Sequence, residues 1–184
     1  MSSHNSPRIG RPWRGWVLAL LFVLALAGCG GGVDSGGRGA PRSASASGPV
    51  TGFGSVIVDG VHFDDASASV TDADGAVHSR DDLKLGMTTT INGSVFMMDA
   101  NGAQGTATSI QYDSAIVGPV DSLNGSGKSF VVLGQTVDVQ PSTVFETGLN
   151  GGLAALTVGD VVEVYALFDA LNFRYAATRI ERRA

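Results

Sequence analysis

The chain is poor in cysteine and in charged residues, and each scarcity excludes a class of structure. Cys29 has no second cysteine with which to form an intramolecular disulfide, so the folded domains must be held by packing alone. Two histidines, His62 and His78, follow Cys29, and their spacing is not that of a zinc site. Charged residues make up only 16% of the chain, which disfavours a charged helical bundle.

Basic side chains are too scattered to form a patch for nucleic acid. The formal net charge of the whole chain is −5, and three of the arginines precede Cys29. Without those three positive charges, the segment after Cys29 carries a formal charge of −8. Neutralising phosphates requires clustered basic groups, and after Cys29 these occur only at the C-terminus, as Arg179, Arg182 and Arg183. We therefore expect no nucleic-acid partner.

Glycine, by contrast, is abundant, with 26 residues. No helical periodicity is sustained over three turns after the N-terminal segment, and this composition favours short strands joined by tight turns. Once an N-terminal segment is removed, 184 residues leave room for two domains of roughly 65 residues. The sequence therefore predicts an all-β fold.

Residues 1–28 have the layout of an export signal. Met1–Arg14 contains three arginines and no acidic residue, and Trp16–Ala27 is an unbroken apolar run. About 12 apolar residues are too few to span a bilayer and suit the hydrophobic region of a signal peptide. We predict a signal peptide over 1–28.

The end of that segment, Leu26-Ala27-Gly28-Cys29, resembles the lipobox of bacterial lipoproteins. The resemblance implies cleavage before Cys29, diacylglycerol and palmitate on Cys29, and a membrane partner reached through those acyl chains. Gly30 stands where an aspartate tends to retain such proteins in the inner membrane, so the resemblance implies the outer membrane of a cell envelope. The alternative is an ordinary secretory signal with a cysteine near its end. Residues 29–49 are mostly Gly, Ser, Ala, Pro and Arg and predict a flexible tether.

Residues 50–116 and 117–184 repeat one pattern at an offset of about 70 residues. Val56–Phe63 and Val131–Val137 each read as two strands around a two-residue turn, type I′ at Asp59-Gly60 and type II′ at Gly134-Gln135. A later Ala-Thr-x-Ile tetrapeptide also occurs in both copies. The pattern indicates an internal duplication.

Alternation within the repeat predicts which side chains face inward. One face carries Thr89, Ile91, Gly93 and Val95 in the first copy, and Val162, Val164, Ala166 and Phe168 in the second. Single helical turns are predicted at Ser79–Asp82, which has the spacing of a capping box, and at Gly151–Leu156. Closing a small sheet removes exposed edges. We predict two small, partly open, five- or six-stranded OB-like β-barrels in tandem.

Three segments resemble a bacterial lipoprotein family known only as domain of unknown function 5666: Gly52–Gly60 followed by Phe63, Asp82–Met87, and Gly118–Val120. The resemblance implies tandem β-barrel modules in envelope proteins and supplies no activity or catalytic residues. The second copy departs from the pattern, with Asp160 in place of the methionine.

Two motifs resemble ligand-binding loops only in part. Asp72-Ala73-Asp74-Gly75 resembles a calcium loop, but Val70 stands at the first ligand position and Asp81 at the last; Asp72 and Asp74 are weak metal candidates, and a turn is the alternative. Gly125–Ser129 resembles the tail of a phosphate-binding loop but lacks the preceding glycine. We expect no cofactor.

Aromatic residues of the second copy are the candidate binding residues: Tyr165, Phe168, Phe173 and Tyr175. They either pack into the core, as Phe96, Met97 and Met98 of the first copy would, or form an exposed rim that contacts a protein or glycan. No catalytic motif is assembled, so we expect a non-enzymatic binding or scaffolding module of the cell envelope.

Other interpretations remain open. One is a metal-dependent or hydrolytic envelope enzyme using Asp72, Asp74, Asp81 and Asp82, and another is a structural spacer. The absence of a linker at Ile116-Val117 also leaves open that the two modules pack into one unit.

Overall fold

A computed structural model describes residues 42–99, 102–126 and 128–183. Within those ranges the chain forms strands and three short 3-10 turns (Arg80–Asp82, Thr147–Leu149 and Gly152–Ala155), with no α-helix, which confirms the predicted all-β class. The strands are β1 (Arg42–Gly52), β2 (Val56–Val58), β3 (Val61–Asp64), β4 (Ser69–Thr71), β5 (Val77–His78), β6 (Thr88–Asp99), β7 (Gly102–Tyr112), β8 (Ile116–Leu123), β9 (Ser129–Val132), β10 (Gln135–Phe145), β11 (Val161–Asp169) and β12 (Arg174–Arg182). No helix in the described ranges is long and apolar enough to cross a membrane.

The strands form two five-stranded barrels of the same topology. In barrel 1 the ring is β1-β2-β3-β7-β6, and in barrel 2 it is β8-β9-β10-β12-β11. Each ring is antiparallel except for one parallel pair, β3 with β7 and β10 with β12. This strand order is that of the predicted OB-like Greek-key barrel. The two tandem five-stranded barrels confirm the predicted fold, and the parallel pairs close both rings, which the prediction left partly open.

Barrel 1 carries an extra hairpin, which lies between β3 and β6 in the sequence. β4 pairs in parallel with β7 through Val70 and Ile110, and β5 pairs with β4. In barrel 2 the corresponding place is taken by the end of β10, where Phe145 pairs with Ile180. The two copies therefore differ mainly in what is inserted at this position.

Strand β1 begins earlier than the predicted start of the first module at residue 50. Arg42–Pro49 pair with Val95–Thr88 of β6, so these residues belong to the barrel and not to the tether predicted over 29–49. The small residue Ala46 faces the core and is buried. Two sequence signals mark this strand: the Ser/Ala alternation of residues 43–47, and Gly48-Pro49-Val50, which recurs as Gly118-Pro119-Val120.

Each barrel has its own apolar core, to which the predicted inward faces contribute Ile91, Val162, Val164 and Ala166. The core of barrel 1 contains Ala46, Val50, Val56, Val58, Phe63, Val70, Leu83, Ile91, Ala107 and Ile110. The core of barrel 2 contains Ile116, Val120, Phe130, Val132, Val137, Leu149, Leu153, Leu156, Val162, Val164, Ala166, Ala177 and Ile180. Burial of each large apolar side chain contributes about 1.5–3 kcal/mol, which is how these small domains are held without disulfides.

The first hairpin of each barrel turns in the same way. Asp59 and Gly60 both have positive φ, 52° and 72°, as the predicted type I′ turn requires. The type II′ turn predicted at Gly134-Gln135 is wrong. Leu133 (φ 49°) and Gly134 (φ 73°) form a type I′ turn there, because Val132 pairs with Gln135 and leaves those two residues as the loop.

The predicted single turns are present as 3-10 turns. The Ser79 side chain accepts from the N–H of Asp81 at 3.2 Å, and Asp82 Oδ2 accepts from the N–H of Ser79 at 2.9 Å, which completes the capping box. Its equivalent in barrel 2 is the 3-10 turn Gly152–Ala155.

Both barrels lie in one compact unit, and polar contacts join them. Arg179 Nη1 donates to the carbonyl of Leu85 at 3.0 Å, and Lys84 Nζ lies 3.2 Å from Glu181 Oε1. Gly86 is packed so closely against barrel 2 that a Cβ there would lie 2.4 Å from the carbonyl oxygen of Thr178. The two modules are therefore packed together without an intervening linker.

The outer face of barrel 2 at β11 and β12 is buried although it points away from the barrel's own core. Glu163 lies opposite Glu181, and Tyr165 opposite Arg179. All four are at most 7% exposed. The equivalent positions of barrel 1 carry uncharged side chains, namely Thr90, Asn92, Ser109 and Gln111.

Candidate binding site at the last hairpin of barrel 2

The hairpin that joins β11 to β12 brings together three of the four predicted binding residues. Phe168 and Tyr175 are direct partners across the two strands, and Phe173 lies in the loop between them. Phe168 lies on the predicted inner face of β11, but it is 52% exposed because it lies beyond the last buried core residue of that face, Ala166. The core face of β11 therefore continues into solvent at this end of the barrel.

The aromatic rings contact one another in non-parallel arrangements. The ring centroids of Phe168 and Tyr175 are 5.0 Å apart with planes inclined by 51°, and those of Phe168 and Phe173 are 6.4 Å apart at 71°. Tyr175 is half-buried and packs against the core of barrel 2. We call residues 168–175 the aromatic hairpin; its rings are fixed to the barrel at one end and open to solvent at the other.

The loop of the aromatic hairpin is locked by one carboxylate. Asp169 Oδ1 accepts from the N–H groups of Leu171 (2.9 Å) and Asn172 (3.3 Å), and Oδ2 accepts from the Asn172 side chain at 2.7 Å. These hydrogen bonds, that of the Asn172 side chain above all, hold the pKa of Asp169 below its usual value. The carboxylate is therefore charged at neutral pH and keeps the turn closed.

The same turn presents two large apolar side chains to solvent. Leu171 is 91% exposed and Phe173 77% exposed. Phe173 has a φ of 52°, a left-handed conformation that is unfavourable for a bulky residue by about 1–2 kcal/mol. Holding an exposed aromatic ring in this fixed position therefore lowers the free energy of unfolding of the protein.

Polar groups border the aromatic hairpin on one side. Arg174 Nη1 donates to Asp138 Oδ1 at 2.9 Å, and this ion pair joins the base of the hairpin to β10. An apolar tip with a polar border is the composition of a contact surface. Because the tip projects into solvent, it is accessible to a partner.

The fourth predicted binding residue, Tyr165, is not part of this surface. It is 1% exposed and lies on the opposite face of β11, in the buried outer face against barrel 1. Burial raises the pKa of Tyr165 well above its usual value, and the neighbouring Glu163 and Glu181 raise it further. Tyr165 is therefore an interface residue, and the prediction that it forms an exposed rim is wrong.

The acidic loop at Asp72 and Asp74 is the turn of the β4–β5 hairpin. Asp72 Oδ1 accepts from the N–H groups of Asp74 (3.0 Å) and Ala76 (2.9 Å), and Gly75 takes a positive φ of 83°. The other oxygen, Oδ2, lies 2.9 Å from His78 Nε2. The hydrogen bond from His78 is the largest influence that holds the pKa of Asp72 below its usual value. Asp72 is thus occupied in shaping the hairpin.

His78 is held between two carboxylates. Nε2 faces Asp72, and Nδ1 lies 3.8 Å from Asp82 Oδ2. Its ring also contacts that of Tyr112 at 5.2 Å. Burial raises the pKa of Tyr112. Neither ring nitrogen is directed at a hydroxyl group, so His78 is not arranged as the base of a Ser-His-Asp site.

A polar cleft of about 290 Å³ opens beside this histidine. It is lined by Asp72, Ala73, Asp74, His78, Tyr112, Asp113, Ser114, Val117, Glu163 and Arg183. Within it, Arg183 Nη2 pairs with Glu163 Oε2. In the described part of the chain, no three His, Cys, Asp or Glu side chains converge as a metal site would require.

The lipidation residue predicted from the sequence, Cys29, lies outside the described residues, as do the signal peptide predicted over 1–28 and residues 30–41. The structure therefore describes the predicted residues of the barrels and none of those predicted for export and lipidation. Among these, Leu171 belongs to an apolar cluster with Phe173 in the sequence but is not one of the four aromatic candidates; its place in a tight hairpin between Asp169 and Asn172 is the signal for its exposure.

One comparison with known protein families gives a match, and it covers the second barrel. Residues 117–181 match the family model described as Domain of unknown function (DUF5666). This segment coincides with barrel 2, from the second residue of β8 to the penultimate residue of β12. The segments that resemble the family lie mostly in barrel 1, at Gly52–Gly60 and Asp82–Met87. No curated protein of similar sequence was found. The part of the chain that forms barrel 2 is thus similar in sequence to the DUF5666 family.

Proposed function

We propose that the protein is a lipoprotein of the cell envelope, anchored through Cys29, and that its two barrels form a non-enzymatic binding module. The contact surface is the aromatic hairpin. The observation that carries this proposal is the exposure of Leu171 and Phe173 on a loop that Asp169 locks in place. Contiguous exposed apolar side chains on a rigid element are characteristic of interaction sites.

The strained backbone of Phe173 supports the same function. A residue such as Asn or Gly would fit the left-handed conformation at lower cost. Keeping a phenyl ring there sacrifices stability without adding to the core, since the ring is 77% exposed. Binding is the benefit that offsets this cost.

The lipid anchor is supported by the order of the N-terminal features, a basic head, an apolar run and Leu-Ala-Gly-Cys ending at Cys29. Metabolic labelling with an alkyne analogue of palmitate tests it. We expect label on the wild-type chain and none on Cys29→Ala. Equal labelling of the two chains would contradict the anchor.

Site-specific photo-crosslinking in living cells tests the contact surface. A photoreactive residue at position 171 is compared with one at position 77, because Leu171 and Val77 are similarly exposed, at 91% and 82%. We expect adducts from position 171 and none from position 77. Equal yields at the two positions, or no adduct at 171, would show that the aromatic hairpin is not the contact surface.

A further inference from the structure

We infer that the aromatic hairpin inserts into the surface of the same lipid bilayer that holds Cys29, and so fixes the orientation of the barrels on the membrane. The inference rests on the proposed lipid anchor and specifies the partner of the same hairpin. Four observations support it: the composition of the tip, its position relative to the start of β1, the reach of the intervening chain, and the charges at its base.

The tip of the hairpin is apolar and offers few polar groups. Leu171 and Phe173 at the tip are 91% and 77% exposed, and Phe168 and Leu167 below it, on the barrel side of Asp169, are 52% and 48% exposed. The Asn172 side chain is engaged with Asp169 inside the loop. A glycan or a polar peptide would need hydrogen-bonding groups beside the rings, whereas acyl chains need only apolar area.

Strand β11 runs toward the end of barrel 1 at which the chain enters. At Val164 its carbonyl accepts a hydrogen bond from the N–H of Ala115, just beyond the end of β7, at 2.8 Å. Three residues later, Leu167 lines a cleft together with Ser47 and Thr90. Between these two contacts β11 advances along barrel 1 in the direction in which β6 runs.

The start of β1 lies farther in that same direction. β1 is antiparallel to β6, with Ser47 opposite Thr90 and Arg42 opposite Val95. Leu171, at the tip of the aromatic hairpin, is four residues beyond Leu167. The aromatic hairpin therefore extends from β11 toward the side of the two-barrel unit at which the chain enters barrel 1.

The segment between the anchor and the barrel limits the distance to the membrane. Twelve residues, 30–41, separate Cys29 from Arg42. At about 3.3–3.6 Å per residue they can span at most about 43 Å. A lipid on Cys29 would thus keep Arg42, where the chain enters barrel 1, within that distance of the bilayer surface, which leaves the hairpin able to reach it.

Charges at the base of the hairpin suit the headgroup layer. Asp169 is charged, and the Arg174–Asp138 ion pair lies directly beside it. A carboxylate and an ion pair remain in the polar layer while the residues beyond them enter the acyl region. Insertion is therefore shallow and ends at Asp169 and Arg174.

Tryptophan fluorescence tests this insertion directly. The two tryptophans, Trp13 and Trp16, precede Cys29, so the processed chain contains none. Lipidated protein carrying Leu171→Trp is reconstituted into vesicles of phosphatidylethanolamine and phosphatidylglycerol, with or without brominated acyl chains. The matched control is Val77→Trp, at an 82% exposed position of barrel 1.

We expect Leu171→Trp to emit at shorter wavelength than Val77→Trp and to be quenched by brominated lipid, with Val77→Trp unquenched. Adding Phe173→Asp to the Leu171→Trp chain should abolish both effects. Identical emission and quenching at the two positions, in protein that floats with the vesicles, would overturn the insertion and leave the lipid anchor intact. A wild-type chain that emits tryptophan fluorescence or fails to float would overturn the anchor and with it this inference. Quenching absent at position 171, together with photo-crosslinks from that position to a protein, would assign the hairpin to a protein partner instead.

Discussion

Arg179 of barrel 2 binds the carbonyl of Leu85 of barrel 1, from which it is separated by 94 residues of sequence. Its Nε also donates to Glu181 Oε1 at 2.5 Å, and Lys84 approaches the same carboxylate oxygen at 3.2 Å. Arg179 and Glu181 are 7% and 6% exposed. The contact between the barrels is therefore built around a buried ion pair.

Replacing Arg179 should strongly destabilise the protein. Arg179→Met leaves Glu181 buried with only Lys84 as partner, and breaking a buried pair from one side costs about 3–5 kcal/mol. Arg174→Met is the matched control, because its pair with Asp138 is largely exposed and such pairs contribute about 0–1 kcal/mol. Urea unfolding followed by circular dichroism measures both. Similar losses for the two variants would contradict a buried interface at Arg179.

Gly86 should be less tolerant of substitution than a glycine with the same backbone conformation elsewhere. Gly86 and Gly75 have φ of 82° and 83°, so alanine costs both about 1–2 kcal/mol of backbone strain. A Cβ at Gly86 would also lie 2.4 Å from the Thr178 carbonyl oxygen, whereas nothing lies within 4 Å of one at Gly75. We expect Gly86→Ala to cost about 1–3 kcal/mol more than Gly75→Ala in urea unfolding. Equal costs would mean that the barrels separate easily.

Stability should fall on acidification in a way that depends on Glu181. Burial raises the pKa of Glu181, but hydrogen bonds and charges from Arg179 and Lys84 outweigh it and hold the pKa below the usual 4.5. A pKa lowered by folding adds stability above the unfolded value, and that stability is lost as pH falls from about 4.5 through the folded value.

Glu181→Gln should therefore be less stable at neutral pH but show a shallower decline of Tm below pH 4.5. A residual decline remains, because hydrogen bonds from His78, Thr157 and Asn172 lower the pKa values of Asp72, Asp160 and Asp169. Differential scanning calorimetry between neutral and acidic pH measures both slopes. A variant as pH-dependent as the wild type would show that Glu181 does not contribute.

Phe173 should limit stability. Phe173→Asn places a residue that tolerates positive φ at this position and should raise the free energy of unfolding by up to about 1 kcal/mol. Phe53→Asn is the control, because Phe53 is 50% exposed but does not have a positive φ. Thermal unfolding of both variants in detergent checks this. A loss of stability on Phe173→Asn would mean that the ring supports the hairpin.

Much of the fold follows from local sequence, because alternation and turn residues act over a few positions. Ile91 and Val164 were predicted to face inward and do, and Asp59-Gly60 forms the turn its residues favour. Phe168 follows from the same alternation, although it lies beyond the buried part of that face and is 52% exposed.

Features set by packing between the copies could not be predicted in this way. Tyr165 points away from its own core, and only the approach of barrel 1 buries it. The left-handed conformation of Leu133 is imposed by strand register, which overrides the preference of leucine. The closed rings likewise depend on parallel pairs between strands distant in sequence, such as β10 and β12.

The four large side chains on the outside of barrel 2 make the pair of barrels, rather than the single barrel, the unit that can be inherited or transplanted. Glu163, Tyr165, Arg179 and Glu181 lie on the outer face of that barrel and are buried there against barrel 1. In a chain lengthened by further copies of barrel 2, each added copy would leave one such face, with its two glutamates, arginine and tyrosine, without barrel 1 to cover it. Recombination or protein engineering that moves this fold between chains should therefore cut before β1 and after β12, and never at the junction between the barrels.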